Sequence, residues 1–431
     1  MGRAKGGIVK RTSVGLAAVA ASAVALGAVA STSVGGQQRQ NEVKDLKIGL
    51  AAPLTGALES FGGIGVKAGN LAASQLNQYA KKGGLPLNVI TAIQDTKTDK
   101  TAAQEAATKL ITSDKVSCMA GPWASSEVIA VAENVSVDAG VPLISPSSTN
   151  PDVSKLADNG LVFRTAPSDA LQGKVIAQVM GKTFGKTALV NTASRNDSYG
   201  ISLVREFRKA WKAQGGRLGA SVPYNPLATS LDTEAQKIVA GKPDAWMIVD
   251  FPADYPKMGK ALVRTGKWSA AKTFSSDGLK DKDLPKNAGR KATEGMAGTV
   301  PTDRGAPGGA LFQTLWDQTA QGPRGTYDDY HFDAVILCAL AAVKANSTNP
   351  ADIAKQIQAV SGPPGTKYTF VQLDQALKDL AAGKDIDYQG ASGPIDLDAN
   401  GDPTSASYGK WSYKGGKLVD DPKFLVKFGG K

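Results

Sequence analysis

From Leu46 onward, short apolar runs alternate with longer stretches in which apolar positions recur every three or four residues. "LKIGLAAPL", "LPLNVITAIQD", "VSCMAGP" and "VPLISP" have the length and composition of buried strands. Between them, "GVKAGNLAASQLNQYAKKGG", "TAAQEAATKLITSD" and "SSEVIAVAENVSVDAG" carry the helical period, the first closed by glycines. Strand, helix, strand at this spacing predicts a parallel sheet with right-handed crossovers.

The same grammar restarts after "NGLVFRTAPSD". Helix "ALQGKVIAQVMGKTFG", strand "KTALVNTA", helix "ISLVREFRKAWKAQGG", strand "RLGASVPY", helix "TEAQKIVAGK" and strand "PDAWMIVD" follow in order. A second α/β unit therefore starts near Ser168. A chain of 431 residues exceeds what one hydrophobic core serves, so two lobes are expected. Later come a helix from about Tyr330 to Lys344, another from Ala351, and the closing "GPIDLDANGDPTSASYGKWSY".

The start of the chain follows a different rule. The basic "MGRAKGGIVKR" precedes the alanine-rich "VGLAAVAASAVALGAVA", which reads as a secretory signal peptide over residues 1–30 with small residues at the Ala30 cleavage point. Residues 31–44 then form a flexible segment, and the mature protein lies outside the cytoplasmic membrane, in a periplasm or cell-wall space. An uncleaved anchor helix is the competing reading. No cysteine follows the apolar run, so the simplest lipid anchor is missing. Residues 1–30 hold Arg3, Lys5, Lys10 and Arg11 and no acid, so their removal lowers the formal charge from +11 to +7. The remaining cations are spread along the chain without a basic block, which argues against a nucleic-acid partner.

Open parallel sheets bind ligands beyond the carboxyl ends of their strands, where loops meet helix N-termini. The small polar clusters sit there: "APLTGALESFG", "GPWASSE", "SPSSTNP", "NTASRNDSYG" and "SSDG". Hydroxyls beside unpaired backbone N–H groups suit a carboxylate. Ser125 and Ser126 lie at the expected start of one helix, and Ser147, Ser148 and Thr149 across the cleft mouth from it. Ser126 as a helix cap and "SSTNP" as an ordinary turn are the structural alternatives.

Taken together, "IGLAAPLTGALESFG", "GPWASSEVIAVA", "VPLISPSSTNPDV", "FRTAPSDALQG", "NDSYG" and "GPIDLDANGDP" resemble the type I periplasmic binding proteins that feed branched-chain amino acid ABC transporters, the leucine/isoleucine/valine-binding proteins. The resemblance runs from about Lys47 to Tyr413. It implies an α/β fold of two Rossmann-like lobes with parallel central sheets and a three-stranded hinge. Lobe 1 would comprise residues 45–167 and 301–395, and lobe 2 residues 168–300 and 396–431. It also implies a monomer that closes on an amino acid or related small carboxylate and hands it to ABC permease subunits.

Carried over residue by residue, carboxylate contacts fall on Ser125, Ser147 and Thr149. An aromatic cover falls on Phe61, where a tyrosine is familiar, and a second-lobe cover on Tyr199. The ammonium partner falls on Asp277. Phe332, with Tyr330 nearby, matches an aromatic near the cleft, although core packing explains Phe332 equally well. The segment "VDFPADYPKMG" departs from the family pattern and leaves Asp250, Phe251, Asp254 and Tyr255 all open as contacts.

Other chemistry finds little support. The one histidine, His331, and the lack of a G-x-S-x-G elbow leave no serine triad or histidine-rich metal site to assemble, so an enzyme is not expected, nor is a cofactor. "DLDANGD" mimics the start of a calcium loop, but Ser407 stands where the bidentate glutamate belongs, and an Asn-Gly turn is the better reading. Cys118 and Cys338 lie in apolar settings where buried free thiols are the simple expectation; a disulfide is allowed outside the cytosol. A sensing module of the same fold is the second functional reading, since fold alone does not choose.

Overall fold

The computed structural model describes residues 45–319 and 322–429; the expected signal peptide and the segment up to residue 44 lie outside the described residues. Five parallel strands form the first sheet: β1 (Asp45–Ala52), β2 (Asn88–Asp95), β3 (Cys118–Ala120), β4 (Leu143–Ser145) and β5 (Val162–Arg164), in the order β2-β1-β3-β4-β5. β1 is an interior strand and pairs with both β2 and β3. Its Ile48, Leu50, Ala51 and Ala52 are fully buried, as a strand covered on both faces requires.

One covering layer is the helix Glu59–Gly83 together with Asp328–Ala345, which pack on each other. The second helix is buried from Asp328 to Val343 because the Pro350–Ser361 helix covers its far side. That all-round burial explains its weak sequence periodicity, since no face is left for water. Phe332 packs against Phe312 and Phe370, with ring centroids 5.0 and 5.2 Å apart, so it belongs to this core.

The second lobe is built on β6 (Leu189–Arg195), β7 (Arg217–Tyr224), β8 (Ala245–Val249), β9 (Thr273–Ser275) and β10 (Ala297–Pro301), parallel in the order β10-β9-β8-β6-β7. β11 (Thr366–Thr369) and β12 (Ile386–Gln389) form a small parallel pair. The chain then returns as β13 (Ala406–Lys414), antiparallel to β10. Beyond Tyr413, where the sequence pattern predicts nothing, β14 (Lys417–Asp420) and β15 (Val426–Phe428) add antiparallel partners to β13.

The backbone passes between lobes after β5, after β10 and before β13; between the last two crossings it contributes Phe312, Trp316 and Leu397 to the first-lobe core. These passages create a mixed α/β architecture with a cleft at the strand tips. "DLDANGD" is a tight turn: the Gly401 N–H donates to the Asp398 carbonyl (3.0 Å) and the Asp398 N–H to the Asp402 carbonyl (2.8 Å).

The expectation of free thiols is corrected here. Cys118 of β3 and Cys338 of the Asp328–Ala345 helix form a disulfide, their Cα atoms 6.0 Å apart across a sequence separation of 220. Local apolarity could not reveal the pairing, because it depends on the helix docking over the sheet. Closing so long a loop restricts the unfolded chain, so the Cys118→Ala/Cys338→Ala variant should lose about 2–5 kcal/mol of stability. Guanidinium unfolding of oxidised wild type, reduced wild type and the variant checks this: the last two should coincide.

Candidate functional site

The loop after β4 is held by Arg164 at the end of β5. This guanidinium is fully buried and donates to the carbonyls of Ser148 (3.3 Å) and Asn150 (2.9 Å), to Ser154 Oγ (2.8 Å), and to both carboxylate oxygens of Asp402 (2.7 and 2.8 Å). "SPSSTNP" is thus wrapped around a cation through its carbonyls. Ser147 donates to the Trp123 carbonyl (2.8 Å), and the Asn150 N–H reaches Ser125 Oγ (3.3 Å), which joins this loop to the one after β3.

Ser125 opens the helix Ser125–Val131, and the sequence-based cap at Ser126 is not used. Glu127 accepts from the Ala124 N–H (2.9 Å) instead. Burial pushes the Glu127 carboxyl up to about 8, with the Thr96 hydroxyl beside it pulling the other way.

A cavity of about 20 Å³ lies between the lobes. From the first lobe it is lined by Phe61, Trp123, Ser125 and Ser147, and from the second by Tyr199, Phe251, Asp277 and Gly278; Tyr327, just before the Asp328–Ala345 helix, completes the wall. Of the residues singled out by sequence, the structure therefore brings together Phe61, Ser125, Ser147, Tyr199, Phe251 and Asp277. Ser126, Ser148, Thr149 and Tyr330 stand outside this lining. Ser126 is half-buried as the second residue of its helix. Ser148 and Thr149 are fully buried behind the cavity, where the Thr149 carbonyl accepts from the Asp169 N–H (2.7 Å). Tyr330 packs edge-on against Tyr327, centroids 5.3 Å apart, and borders a different hollow near the crossings.

Asp277 is buried and accepts from Gln172 Nε2 (2.7 Å) and the Tyr199 hydroxyl (3.4 Å). Desolvation raises its pKa above the ordinary value, against the pull of those donors. Gly278 is obligatory beside it, since a Cβ there would sit 2.6 Å from the Asp250 carbonyl and 3.0 Å from the Tyr199 hydroxyl. Asp250 and Asp254 of the open "VDFPADYP" segment turn away from the cavity. Both pair with Arg195, at 3.7 and 2.9 Å, as does Asp197. Arg195 in turn lies 3.8 Å over the Phe251 ring, which stacks on Tyr199 at 5.3 Å and 9°. Tyr255 is core, its hydroxyl donating to the Ala292 carbonyl (2.8 Å).

Sequence reasoning missed Trp123 and Tyr327. Trp123 could have been found as the large aromatic immediately before "ASSE"; nothing local marked Tyr327, whose φ of 68° turns it into the cavity wall. His331 is buried and neutral, its pKa pushed down to about 4 by desolvation, and packs at 5.4 Å against the Trp123 ring. Gly65 makes that packing possible, since a Cβ there would lie 2.2 Å from the indole.

Across the gap, Asn150 Nδ2 donates to the Ser198 carbonyl (2.9 Å), the Ala253 N–H to the Ala57 carbonyl (3.4 Å), and Arg205 pairs with Asp152 (3.2 Å). These bonds hold the lobes together over the cavity.

A family model described as periplasmic binding protein matches residues 45–403. The chain is 27% identical over 368 residues to the chemotactic signal transduction system substrate-binding protein BasB of Halobacterium salinarum, covering 83% of this chain and 84% of that protein. It is 26% identical over 318 residues to the leucine-, isoleucine-, valine-, threonine- and alanine-binding protein of Pseudomonas aeruginosa, covering 73% and 82%. Among solved structures it is similar to the branched-chain amino acid transporter substrate-binding protein LivJ from Streptococcus pneumoniae in complex with isoleucine, with a TM-score of 0.70, 20% identity and coverage of 89% and 100%.

Arg164→Met takes the cation from Asp402 and leaves the Ser148 carbonyl without its donor, and should cost about 3–5 kcal/mol in urea unfolding, with part regained when Asp402→Asn is added. Glu127 binds a proton in the folded protein that the unfolded chain releases, so its contribution is greatest below its ordinary value of 4.5 and is lost as pH rises to about 8. Burial raises Asp169 and Asp250 to about 7, which acts in the same direction, whereas His331 opposes only below its ordinary 6.5. The melting temperature should therefore fall from pH 6.5 to 8, and Glu127→Gln should flatten that decline in calorimetric scans.

Proposed function

This chain belongs to the periplasmic binding protein family of extracytoplasmic solute-binding proteins, and on that premise we propose that it traps an amino acid or closely related small carboxylate between its lobes and delivers it to an ABC-type membrane permease. The observation that carries this reading is the convergence of two opposed polar sets on one aromatic cavity: Ser125 and Ser147 from one lobe, Asp277 from the other. The Ser125 Oγ accepts from the Asn150 N–H and keeps its own proton for a carboxylate, the Ser147 hydroxyl can turn from the Trp123 carbonyl to donate as well, and an ionised Asp277 can receive an ammonium. Trp123, Tyr199, Phe251 and Phe61 exclude water from both, which strengthens each charged hydrogen bond. A ligand of amino-acid size does not fit the 20 Å³ cavity as it stands, so entry requires the lobes to part at the three crossings and close again. The signal peptide would export the chain, which would act as a monomer.

The relative BasB, named for chemotactic signal transduction, favours a second reading in which the closed form is read by a sensory partner. In cells lacking the protein, loss of ligand uptake supports delivery; intact uptake with a lost behavioural response supports sensing.

The ligand assignment is tested by calorimetry against the common amino acids. Ser125→Ala combined with Ser147→Ala should weaken binding by about 3 kcal/mol or more, because hydrogen bonds to charged groups contribute about 1.5–3 kcal/mol each. Asp277→Asn should weaken amino acids while sparing carboxylates that lack an ammonium. Affinity should also fall on acidification, beginning above the usual carboxylate range, since protonated Asp277 no longer pairs with the cation. Equal losses for both ligand types would remove Asp277 from this role.

A further inference from the structure

Asn150 spends each of its hydrogen-bonding groups in a different direction. Its N–H donates to Ser125 Oγ (3.3 Å), its carbonyl accepts from Arg164 (2.9 Å), its Oδ1 accepts from the Asp152 N–H (2.8 Å), and its Nδ2 donates to the Ser198 carbonyl (2.9 Å). The first three partners belong to the first lobe and the fourth to the second. Asn150 is only 2% exposed, so water cannot replace these partners while the lobes stay together.

The side-chain amide fits only one way round. The atom facing the Asp152 N–H must be the oxygen, which leaves the nitrogen for the Ser198 carbonyl. A serine hydroxyl or an aspartate carboxylate would cap the Pro151–Lys155 turn equally well. Only the amide supplies the cap and a donor to the other lobe at once.

Both ends of this residue meet the cavity wall. Ser125 is one of the lining hydroxyls, and Ser198 opens the Ser198–Ala213 helix directly before Tyr199, which lines the cavity from the second lobe. The Arg164 bond and the cap fix Asn150 between them. A carboxylate that accepts the Ser125 proton polarises Oγ and makes it a better acceptor for the Asn150 N–H. The other contacts across the gap touch no lining hydroxyl. Arg205 and Asp152 pair through side chains that are 46% and 42% exposed, where water competes, and the Ala253 N–H meets the Ala57 carbonyl at 3.4 Å.

We propose that Asn150 is the positioning residue that couples the carboxylate subsite to lobe closure: with Ser125 engaged, it holds the first turn of the Ser198–Ala213 helix, and with it Tyr199, over the ligand. Its cross-lobe bond forms only once the lobes meet, so it slows ligand escape and leaves entry unaffected. This inference rests on the amino-acid reading of the cavity given above.

The test is stopped-flow tryptophan fluorescence on the full chain, since Trp123 lines the cavity. The probe is leucine, replaced by the tightest-binding of the other common amino acids should leucine not bind. Asn150→Asp keeps the cap oxygen and turns an acceptor toward the Ser198 carbonyl, whereas Asn150→Ser keeps a cap and is too short to cross the gap. Each should raise the dissociation rate at least about tenfold, the equivalent of one hydrogen bond between buried groups, and change the association rate less than about twofold. Arg205→Gln, which breaks the exposed pair, should raise dissociation less than about twofold. In a Ser125→Ala background, Asn150→Asp should cost less than about threefold, because the two residues act as one unit. Unchanged dissociation in both Asn150 variants, an effect confined to association, an equal effect of Arg205→Gln, or the full tenfold loss without the Ser125 hydroxyl overturns the coupling and leaves the amino-acid reading standing. Failure of leucine and of every other common amino acid to bind wild type overturns that reading, and this one with it.

Discussion

A guanidinium removed from water must find partners for its donors, and Arg164 finds them in the segment that forms the first-lobe side of the cleft. Its fork is shared between the carboxylate of Asp402 and the carbonyls of Ser148 and Asn150. Because those carbonyls are drawn inward onto the cation, the loop is fixed at its base and the Ser147 hydroxyl is left to lie at the cavity. Asp402 comes from the turn just before the last crossing, so the same ion pair ties one hinge passage to the site loop. Loop, hinge and sheet edge are thereby one mechanical unit.

The second lobe uses a different device. Three carboxylates surround Arg195, and Arg195 lies on Phe251, which lies on Tyr199, whose hydroxyl reaches Ser276 and Asp277. A cation over an aromatic face is attracted by the ring quadrupole, and the attraction grows when water is excluded. The acids of "VDFPADYP" therefore support an aromatic wall from behind, and the segment's Ala253 reaches across to Ala57 of the first lobe. The segment "VDFPADYP" thus contributes to wall rigidity and lobe contact, with Phe251 alone facing the cavity.

Burial of several carboxyls along this interface costs stability near neutral pH. Glu127, Asp169, Asp250 and Asp277 are all raised by desolvation. Such groups persist where geometry matters more than stability, and here they position Ser125, the first turn of the Asp169–Phe184 helix, Arg195 and the cavity floor. The disulfide and the densely packed Asp328–Ala345 helix offset that cost on the first-lobe side.

How much of this was legible varies with the range of the interaction involved. Alternation of strand and helix, the restart near Ser168 and the polar clusters at strand ends are local properties, written in residues a few positions apart, and they led to the parallel sheets and to Ser125 and Ser147; Phe61, Tyr199 and Asp277 came from the resemblance to the branched-chain amino acid binding proteins, and Phe251 was one of four residues left open. β14 and β15 escaped notice because their pairing with β13 rests on tertiary position more than on apolar period. Which hydroxyls face the ligand space also lay beyond the sequence: Ser148 and Thr149 look equivalent to Ser147 in the string "SPSSTNP", and only the pull of Arg164 on the Ser148 carbonyl, 16 residues away in sequence, and of the Asp169 N–H on the Thr149 carbonyl turns them inward. The same holds for Cys118 with Cys338 and for Tyr327 beside Asp277. The sequence by itself determined the elements, the two-lobed α/β plan and the places where polar chemistry gathers, because periodicity and turn chemistry act locally. Only the tertiary structure decided which of those side chains converge, which are sealed behind the cavity and which distant residues join them, because burial and pairing across hundreds of residues are set by how the lobes dock.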